Sequence, residues 1–292
     1  MSPGLIFAAL TILLFGSWAV PTKTLKIDPK VLAFFLTLGV LAIGIIIFLA
    51  TGRHFADIES LIGPFIAGML WAVGITLGYI AIRHLGITRA IGIWVPVNIL
   101  IGALWGLIFF GEARLLGTQK LLLSLVGIGL LITAALTVIS SIKTQKMVGN
   151  SKQGILTALG IGLLHGSVFV PLNASQLPFS TTFLPFCTGM VVVTSLIVLT
   201  SKLNLKYDLF TVFRMMSGGF ILGSGNYLAL LTIKHLGYTN GFALTQLAIV
   251  INTLWGALVF KEITTTKGKI LIATGVIIAL TGAFILNSAR VS

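Results

Sequence analysis

Residues 4–21, GLIFAALTILLFGSWAVP, recur later in the chain as residues 154–171, GILTALGIGLLHGSVFVP. The two copies align without a gap at an offset of 150 residues and share eight identical positions. Their most prominent difference is a phenylalanine, Phe15, that becomes a histidine, His165. Internal repeats of this kind are typical of membrane carriers that hold a site between two halves, so the duplication makes a two-half carrier the leading prediction.

The composition excludes a soluble globular protein. Hydrophobic residues make up 57% of the chain and charged residues only 9%, whereas a soluble domain carries about 25% charged residues. Apolar windows long enough to cross a bilayer as helices cover about residues 4–21, 31–51, 61–82, 91–111, 119–140, 154–172, 181–201, 212–233, 240–260 and 268–288. We therefore predict an all-α integral membrane protein with ten transmembrane helices, the first of which is retained because it lacks a basic leader and a cleavage site.

The positive charges indicate how these helices are oriented. With the loops numbered in chain order, the odd-numbered loops hold 14 of the 19 lysines and arginines. The positive-inside rule places those loops in the cytoplasm and both chain termini outside the cell. Five spans per half then insert the second half upside down in the plasma membrane. The predicted organisation is a first five-helix repeat at residues 1–140, a cytoplasmic linker at 141–153 and a second, inverted five-helix repeat at 154–292.

The duplication extends beyond the first helix of each half. The turn sequences RHLGITRA at 83–90 and KHLGYTNG at 234–241 match at an offset of 151 residues. A tryptophan and a glutamate also match at an offset of 150, as Trp105 with Trp255 and Glu112 with Glu262. Each glutamate ends an equivalent helix beside basic residues. Ion pairing or helix anchoring at the membrane interface is therefore the favoured interpretation of both glutamates.

These segments resemble the drug/metabolite transporter superfamily. The matching runs are RHLGITRAIGIWVPVNILIGALWGLIFFGE at 83–112 and KHLGYTNGFALTQLAIVINTLWGALVFKE at 234–262. Within that superfamily, AGMLWAVG at 67–74, LGITRAIGI at 85–93 and SGN at 224–226 are similar to the glucose/ribose porters and the L-rhamnose/proton symporters. The resemblance covers nearly the whole chain and implies a ten-helix carbohydrate transporter. The Gly-Asn pair that those relatives carry after the LWA motif reads Gly74-Ile75 here and is kept only as Gly225-Asn226.

Polar and aromatic side chains inside the predicted spans are the candidate substrate contacts. Buried amides need hydrogen-bond partners, which sugar hydroxyls would supply, although bonds between helices satisfy amides equally well. Tryptophan faces stack on the apolar face of a sugar ring, and the same residues also anchor helices at interfaces. The predicted substrate-binding residues are Trp18, Trp71, Asn98, His165, Asn226, Gln246 and Asn252.

His165 is the only ionisable side chain near the middle of a predicted span. An ionisable residue inside a membrane is a functional hypothesis by default, and an imidazole exchanges protons near neutral pH. His165 is therefore the candidate for proton coupling, and the equal alternative is a neutral histidine bonded to a neighbouring helix. Pro96, in the fourth span, is a further position where a helix can bend beside the site.

The sequence predicts a secondary transporter of a small neutral polar solute by alternating access, with a monosaccharide as the favoured substrate and proton symport as one hypothesis. The alternative is a drug or metabolite exporter of the same fold. An enzyme is not expected, because no span carries paired carboxylates, a metal-ligand cluster or a nucleophile beside a base. We expect no cofactor, no metal and no nucleic-acid partner, and transport driven by gradients because a nucleotide-binding motif is absent. The lipid bilayer surrounds the protein, and its oligomeric state stays open.

The charge distribution predicts that both termini lie outside the cytoplasm. A reporter that is active only in the cytoplasm should be inactive when fused after Ser292 and active when inserted in the fifth loop, at 141–153. Reporter activity in whole cells is the measurement. Strong activity of the C-terminal fusion would reverse the predicted sidedness.

Overall fold

The computed structural model describes residues 2–52, 56–140, 150–260 and 265–289. Within those ranges all regular elements are helices, which confirms the all-α class predicted from the sequence. The α-helices are α1 (Pro3–Ser17), α2 (Pro29–Ala50), α3 (Ile58–Leu85), α4 (Ile87–Leu104), α5 (Glu112–Ser140), α6 (Ser151–Ser167), α7 (Val170–Ala174), α8 (Phe179–Thr200), α9 (Leu209–Leu236), α10 (Tyr238–Thr245), α11 (Ala248–Leu254) and α12 (Thr266–Ser288). A 3₁₀ turn follows α1 at Val20–Thr22, and π-helical turns follow α4 and α11 at Trp105–Phe109 and Trp255–Val259.

Nine helical segments of the described chain are long and apolar enough to cross a membrane. They are Pro3–Thr22, Pro29–Ala50, Ile58–Leu85, Ala90–Phe109, Glu112–Thr137, Lys152–Ala174, Phe179–Thr200, Leu209–Leu236 and Thr266–Leu286. Each coincides with one predicted span. The remaining predicted span, 240–260, is divided between α10, α11 and the second π-helical turn.

The ninth span is interrupted at Gln246 and Leu247, between α10 and α11. There the backbone amides of Gln246 and Leu247 donate to carbonyl oxygens three residues back, at 3.1 Å each, so the chain is tightened for one turn. The equivalent helix α4 runs through Pro96 without ending. The sequence indicated Pro96 as the place for a bend, whereas the discontinuity lies in the other half of the chain.

Equivalent helices of the two halves exchange equivalent contacts. The indole Nε1 of Trp105 donates to the hydroxyl of Ser167 at 2.8 Å, and Nε1 of Trp255 donates to the hydroxyl of Ser17 at 2.9 Å. The partners in the second bond are the repeat equivalents, offset by 150 residues, of the partners in the first. Reciprocal contacts of this kind arise between copies related by a two-fold rotation.

Glycines bring helices of the two halves into backbone contact. Gly68 of α3 lies against the backbone of Phe186 in α8, and Gly219 of α9 lies against the backbone of Leu36 in α2. A methyl group at either glycine would overlap a carbonyl oxygen of the facing helix. Close approach stabilises helix association in a bilayer, where van der Waals packing replaces the hydrophobic effect.

Contacts between helix ends connect the first, third, fifth and seventh loops. Arg214, just after the seventh loop, donates to the carbonyl oxygen of Pro21 beside the first loop at 2.9 Å. The backbone amide of Asn150, at the end of the fifth loop, donates to Nδ1 of His84 beside the third at 3.2 Å. Two further contacts connect these loops, Lys30 with Ser201 and Asp28 with Arg83. The first, third, fifth and seventh loops are thus connected at one face of the bundle.

The repeated HLG sequence ends α3 and α9 in the same way. Gly86 and Gly237 have φ of 81° and 80°, a left-handed conformation that glycine adopts without strain. The same two helices begin at equivalent caps, Asp57 and Asp208. Hydrogen bonds from the residue three positions further on stabilise each carboxylate and lower the pKa of both groups.

Two predictions fall partly outside the described residues. Most of the linker lies in 141–149, and Glu262, the repeat equivalent of Glu112, lies in 261–264. The domain boundaries stay predictions, and so does the inverted orientation of the repeats.

The glycine contacts predict a position-specific cost of adding one methyl group. Gly68→Ala places a Cβ against the Phe186 carbonyl, so we expect a lower thermal midpoint in detergent, with a destabilisation of about 1–3 kcal/mol from overpacking. Gly129→Ala is the matched control, because Gly129 lies in α5 with no atom within 4 Å of the added carbon. Equal midpoints for the two variants would contradict the close packing of α3 on α8.

Candidate functional site

A cavity lies between the two halves of the described chain. Its walls come from α1, α3 and α4 of the first half and from α6, α9, α10 and α11 of the second. About 80 Å³ of it is open to the centres of water molecules, which is room for several waters. As it stands, the cavity has room for a few water molecules, and a larger ligand would fit only if its walls moved apart.

All seven residues predicted to bind substrate line this one cavity. Their positions in the chain are far apart, and the packing of the two halves brings them together. They are Trp18, Trp71, Asn98, His165, Asn226, Gln246 and Asn252. Their shared location is a finding, whereas their contact with a substrate stays a prediction.

The first half supplies the large aromatic side chains of the cavity. Trp18, Trp71 and Trp94 all line it and are buried, with 2% to 7% of each residue exposed. The repeat equivalents of the first two are aliphatic, Val168 and Leu222, and also line the cavity. We call these three indoles of the first half the indole wall.

The second half carries polar side chains at equivalent cavity positions. His165 takes the place of Phe15, and Asn226 takes the place of Ile75, and all four line the cavity. The cavity therefore combines aromatic surfaces with hydrogen-bonding side chains. This combination suits a ligand with one apolar face and several hydroxyl groups.

Two amides of the cavity retain unused hydrogen-bonding atoms. Nδ2 of Asn98 donates to Oε1 of Gln246 at 3.3 Å, and Nε2 of Gln246 donates to the hydroxyl of Thr245 at 3.1 Å. Oδ1 of Asn98 and Nδ2 of Asn226 are buried without a partner in the protein. Buried polar atoms are normally hydrogen-bonded, so these two atoms are candidates for contact with a polar ligand.

Asn252 is held differently. Its Nδ2 donates to the carbonyl oxygens of Phe15 and Ala248 at 3.3 Å each. These bonds connect α11 to α1 and satisfy the amide donor within the protein. Asn252 therefore has the helix-bonding role that the sequence left open for every amide, although it lies at the cavity wall.

His165 is fixed against the indole wall. Its Nε2 lies 3.1 Å from the carbonyl oxygen of Trp71, and its ring stacks on the Trp71 indole with centroids 5.2 Å apart and an interplanar angle of 16°. A carbonyl oxygen only accepts, so Nε2 carries the hydrogen and Nδ1 is the basic nitrogen of the neutral ring. Gly74 permits this approach, because a Cβ there would overlap the imidazole.

A larger opening lies beside the cavity at the first and third loops. This vestibule has a volume of about 600 Å³ and is lined by Lys26, Arg83 and Tyr79, among others. The rings of Tyr79 and Trp18 meet edge to face, with centroids 5.4 Å apart. Trp18 faces the cavity and Tyr79 the vestibule, so this pair of rings lies between the two spaces.

Sequence reasoning missed several residues of this region. Phe169 and Phe242 line the cavity, but a phenylalanine in an apolar span carries no local signal that separates it from packing. Tyr79 could have been noticed, because it is a polar-tipped aromatic residue near the end of a span. Within the described residues no group of three His, Cys, Asp or Glu side chains is placed to hold a metal ion.

Comparison with known proteins gives these features a context. The chain is 27% identical over 294 residues to the glucose uptake protein GlcU of Bacillus subtilis strain 168, and the match covers 98% of each protein. It is 24% identical over 255 residues to lin0215 of Listeria innocua, a protein named for sugar uptake, covering 87% of this chain and 88% of that protein. A solved crystal structure with 16% sequence identity shares the fold, with a TM-score of 0.69 and coverage of 97% of this chain and 98% of that one.

The family assignment rests on almost the full length. The model of a family described as "Sugar transport protein" matches residues 6–289. That range includes the described helices that are long enough to cross a membrane, apart from the first few residues of α1. This chain is a multi-pass membrane protein that belongs to the sugar transport protein family, a family of transporters and not of enzymes.

Proposed function

We propose that this protein is a secondary transporter that carries a monosaccharide across the plasma membrane by alternating access between two inverted five-helix repeats. The observation that carries the proposal is the cavity between the halves, which joins the indole wall to amides with unused hydrogen-bonding atoms. The relatives named for glucose uptake and sugar uptake support a sugar as the substrate. The proposal places both termini outside the cell, on the strength of the lysine and arginine distribution.

A sugar ring suits the chemistry of this cavity. Its C–H face packs on an indole of the indole wall, while its hydroxyl groups bond to amides. Asn226 offers a donor and Asn98 an acceptor that have no protein partner, and leaving such a group unpaired costs about 1–3 kcal/mol. Among the described residues lining the cavity there is no carboxylate, lysine or arginine, so a neutral solute is favoured.

Two features support alternating access. The cavity is small, and the Trp18 and Tyr79 rings lie between it and the vestibule. Entry from the vestibule therefore requires those rings to separate. The reciprocal contacts suggest that the two halves can rock against each other into two equivalent arrangements, one open to each side of the membrane. Carriers built from repeats alternate access in this way.

The loop contacts support the inverted arrangement. Helix α1 leads into the first loop, and α6 begins just after the fifth. Both loops connect to the third through hydrogen bonds or ion pairs, Asn150 with His84 and Asp28 with Arg83. One of these equivalent helices ends at this face and the other begins there, which supports opposite directions for the two.

Replacement of single amides should separate binding from folding. Asn226→Leu removes an unpaired donor, so the thermal midpoint should be kept while the Kd for the transported monosaccharide rises by about tenfold, as expected for one lost hydrogen bond. Asn252→Leu removes the donor to the Phe15 and Ala248 carbonyls and should lower the midpoint. Tryptophan fluorescence with a panel of monosaccharides measures binding.

Uptake into proteoliposomes tests the proposed function directly. The parent protein should take up at least one radiolabelled monosaccharide, and Asn226→Leu should slow that uptake. Asn204→Ala is the control with parental uptake, because Asn204 is an exposed amide in the seventh loop. Failure of the folded parent to bind or carry any sugar would overturn the proposed function, and normal binding by Asn226→Leu would remove that amide from the site.

We further propose that His165 couples transport to a proton. Among the described residues lining the cavity, His165 alone has an ionisable side chain. Its Nε2–H is engaged by the Trp71 carbonyl, so an incoming proton binds Nδ1 and adds a positive charge beside the indole wall. A charge in this low-dielectric setting favours the access state that hydrates it, and so biases the two states.

His165→Phe tests the coupling by restoring the first-half residue. The variant should exchange labelled sugar at equal pH but fail to concentrate it when pH differs across the membrane. His235→Phe is the matched control, because His235 also bonds a backbone carbonyl, that of Leu231 at 2.8 Å, but lies outside the cavity. Concentration of sugar by His165→Phe at the parental level, or indifference of the parent to the pH gradient, would make the protein a facilitator.

A further inference from the structure

The short helix α10 connects one end of the bundle to the cavity. Its eight residues, Tyr238–Thr245, are all buried, and they span about 12 Å at 1.5 Å per residue. One end begins beside Glu112, and the other ends at Gln246 in the cavity wall. Since α10 is separated from α11 by the break at Gln246, its position is not set by a continuous helix.

Glu112 holds the first turn of α10. The backbone amide of Tyr238 donates to Oε1 of Glu112, and the amide of Thr239 donates to Oε2 at 2.9 Å. These amides belong to the first turn of a helix, where the backbone N–H groups have no acceptor within the helix itself. A carboxylate there forms charge-assisted bonds and lies at the positive end of the helix dipole. The bonds join α5 of the first half to α10 of the second.

This contact distinguishes between the two roles that the sequence favoured for Glu112. Ion pairing with a basic neighbour such as Arg114 was one interpretation, and helix anchoring was the other. Both carboxylate oxygens are engaged by backbone amides of another helix. Glu112 is therefore an anchor, and the helix that it anchors reaches the cavity.

Two groups at the far end of α10 depend on its position. The backbone amide of Gln246 donates to the Ala243 carbonyl at 3.1 Å, and the Gln246 side chain bonds Asn98. Phe242 lines the cavity and stacks on Tyr238, with centroids 5.8 Å apart and an interplanar angle of 8°. A shift of α10 along its axis would move Gln246 and Phe242 together.

We propose that Glu112 is a positioning residue of the substrate site: through its two bonds to the first turn of α10 it holds Gln246 and Phe242 in place for the sugar. This role deepens the proposed function and rests on it. Glu112 does not touch the substrate, because it lies at the opposite end of α10 from the cavity. Its effect on binding passes through the helix.

The test combines a structural readout with a binding readout. In Glu112→Gln one carboxylate oxygen becomes an amide nitrogen, which cannot accept a hydrogen bond from the backbone. Hydrogen exchange of the Tyr238 and Thr239 amides should become faster, and the Kd for the monosaccharide should rise by about tenfold. Glu112→Asp, which keeps the charge but has a shorter reach, should give intermediate values of both and serves if the glutamine variant folds poorly.

Two comparisons separate positioning from a general loss of stability. Asp57→Asn is the matched control, because Asp57 also accepts a backbone amide at a helix start, from Ser60 at 2.9 Å, but caps its own helix α3. It should leave the Kd unchanged. In the background of Gln246→Leu, Glu112→Gln should raise the Kd much less than it does in the parent, because the side chain that it positions is already gone.

The outcomes are distinguishable. Faster exchange at Tyr238 and Thr239 with a parental Kd in both Glu112 variants would reject the positioning role and leave the proposed function intact. Unchanged exchange would reject the anchoring contact itself. A folded parent that protects those amides but binds no sugar would reject the proposed function, and the positioning role with it.

Discussion

Polar groups inside a bilayer have no water to bond, so each must find a partner in the protein, and this constraint governs the structure from the helices to the cavity. Backbone groups are satisfied within helices along most of the described chain, and at the start of α10 Glu112 accepts the amides of its first turn. The serine hydroxyls of α1 and α6 each accept from an indole of the opposite half. Two amide atoms that lack a protein partner, on Asn98 and Asn226, lie in the cavity wall.

The two halves pack through matching surfaces, but they contribute different side chains to the cavity between them. The reciprocal tryptophan–serine bonds and the glycine contacts are kept in both copies, because the interface is built twice from the same residues. The cavity positions differ, with indoles in the first half and with His165 and Asn226 in the second. A sugar has two unlike faces, so a site between equivalent halves must lose its symmetry to bind one in a single orientation. The glutamate that holds α10 belongs to the first half, so the halves are also coupled at the site.

Much of the site could be predicted because membrane burial makes polar residues conspicuous. An amide or an imidazole in an apolar span is costly, which is why His165, Asn226 and Gln246 were recognised and why they meet in one cavity. The same rule fails for side chains that suit lipid, helix packing and sugar equally. Phe242 is one such residue. The break at Gln246 was not foreseen either, because no proline or glycine occurs at that point, whereas α4 tolerates Pro96.

The sequence by itself determined the helical class, the positions of nine of the ten spans, and the repeat, because apolar length and internal identity are local properties of the chain. Only the tertiary structure decided which polar residues bond one another and which remain unpaired. Asn252 and Asn226 look alike in sequence, yet one bonds α1 and the other keeps a free donor in the cavity. Glu112 likewise acquires its role from α10, which lies more than a hundred residues away in the chain. The reason is that hydrogen bonds between helices depend on distances of about 3 Å, which are set by how the two halves pack and not by spacing along either one.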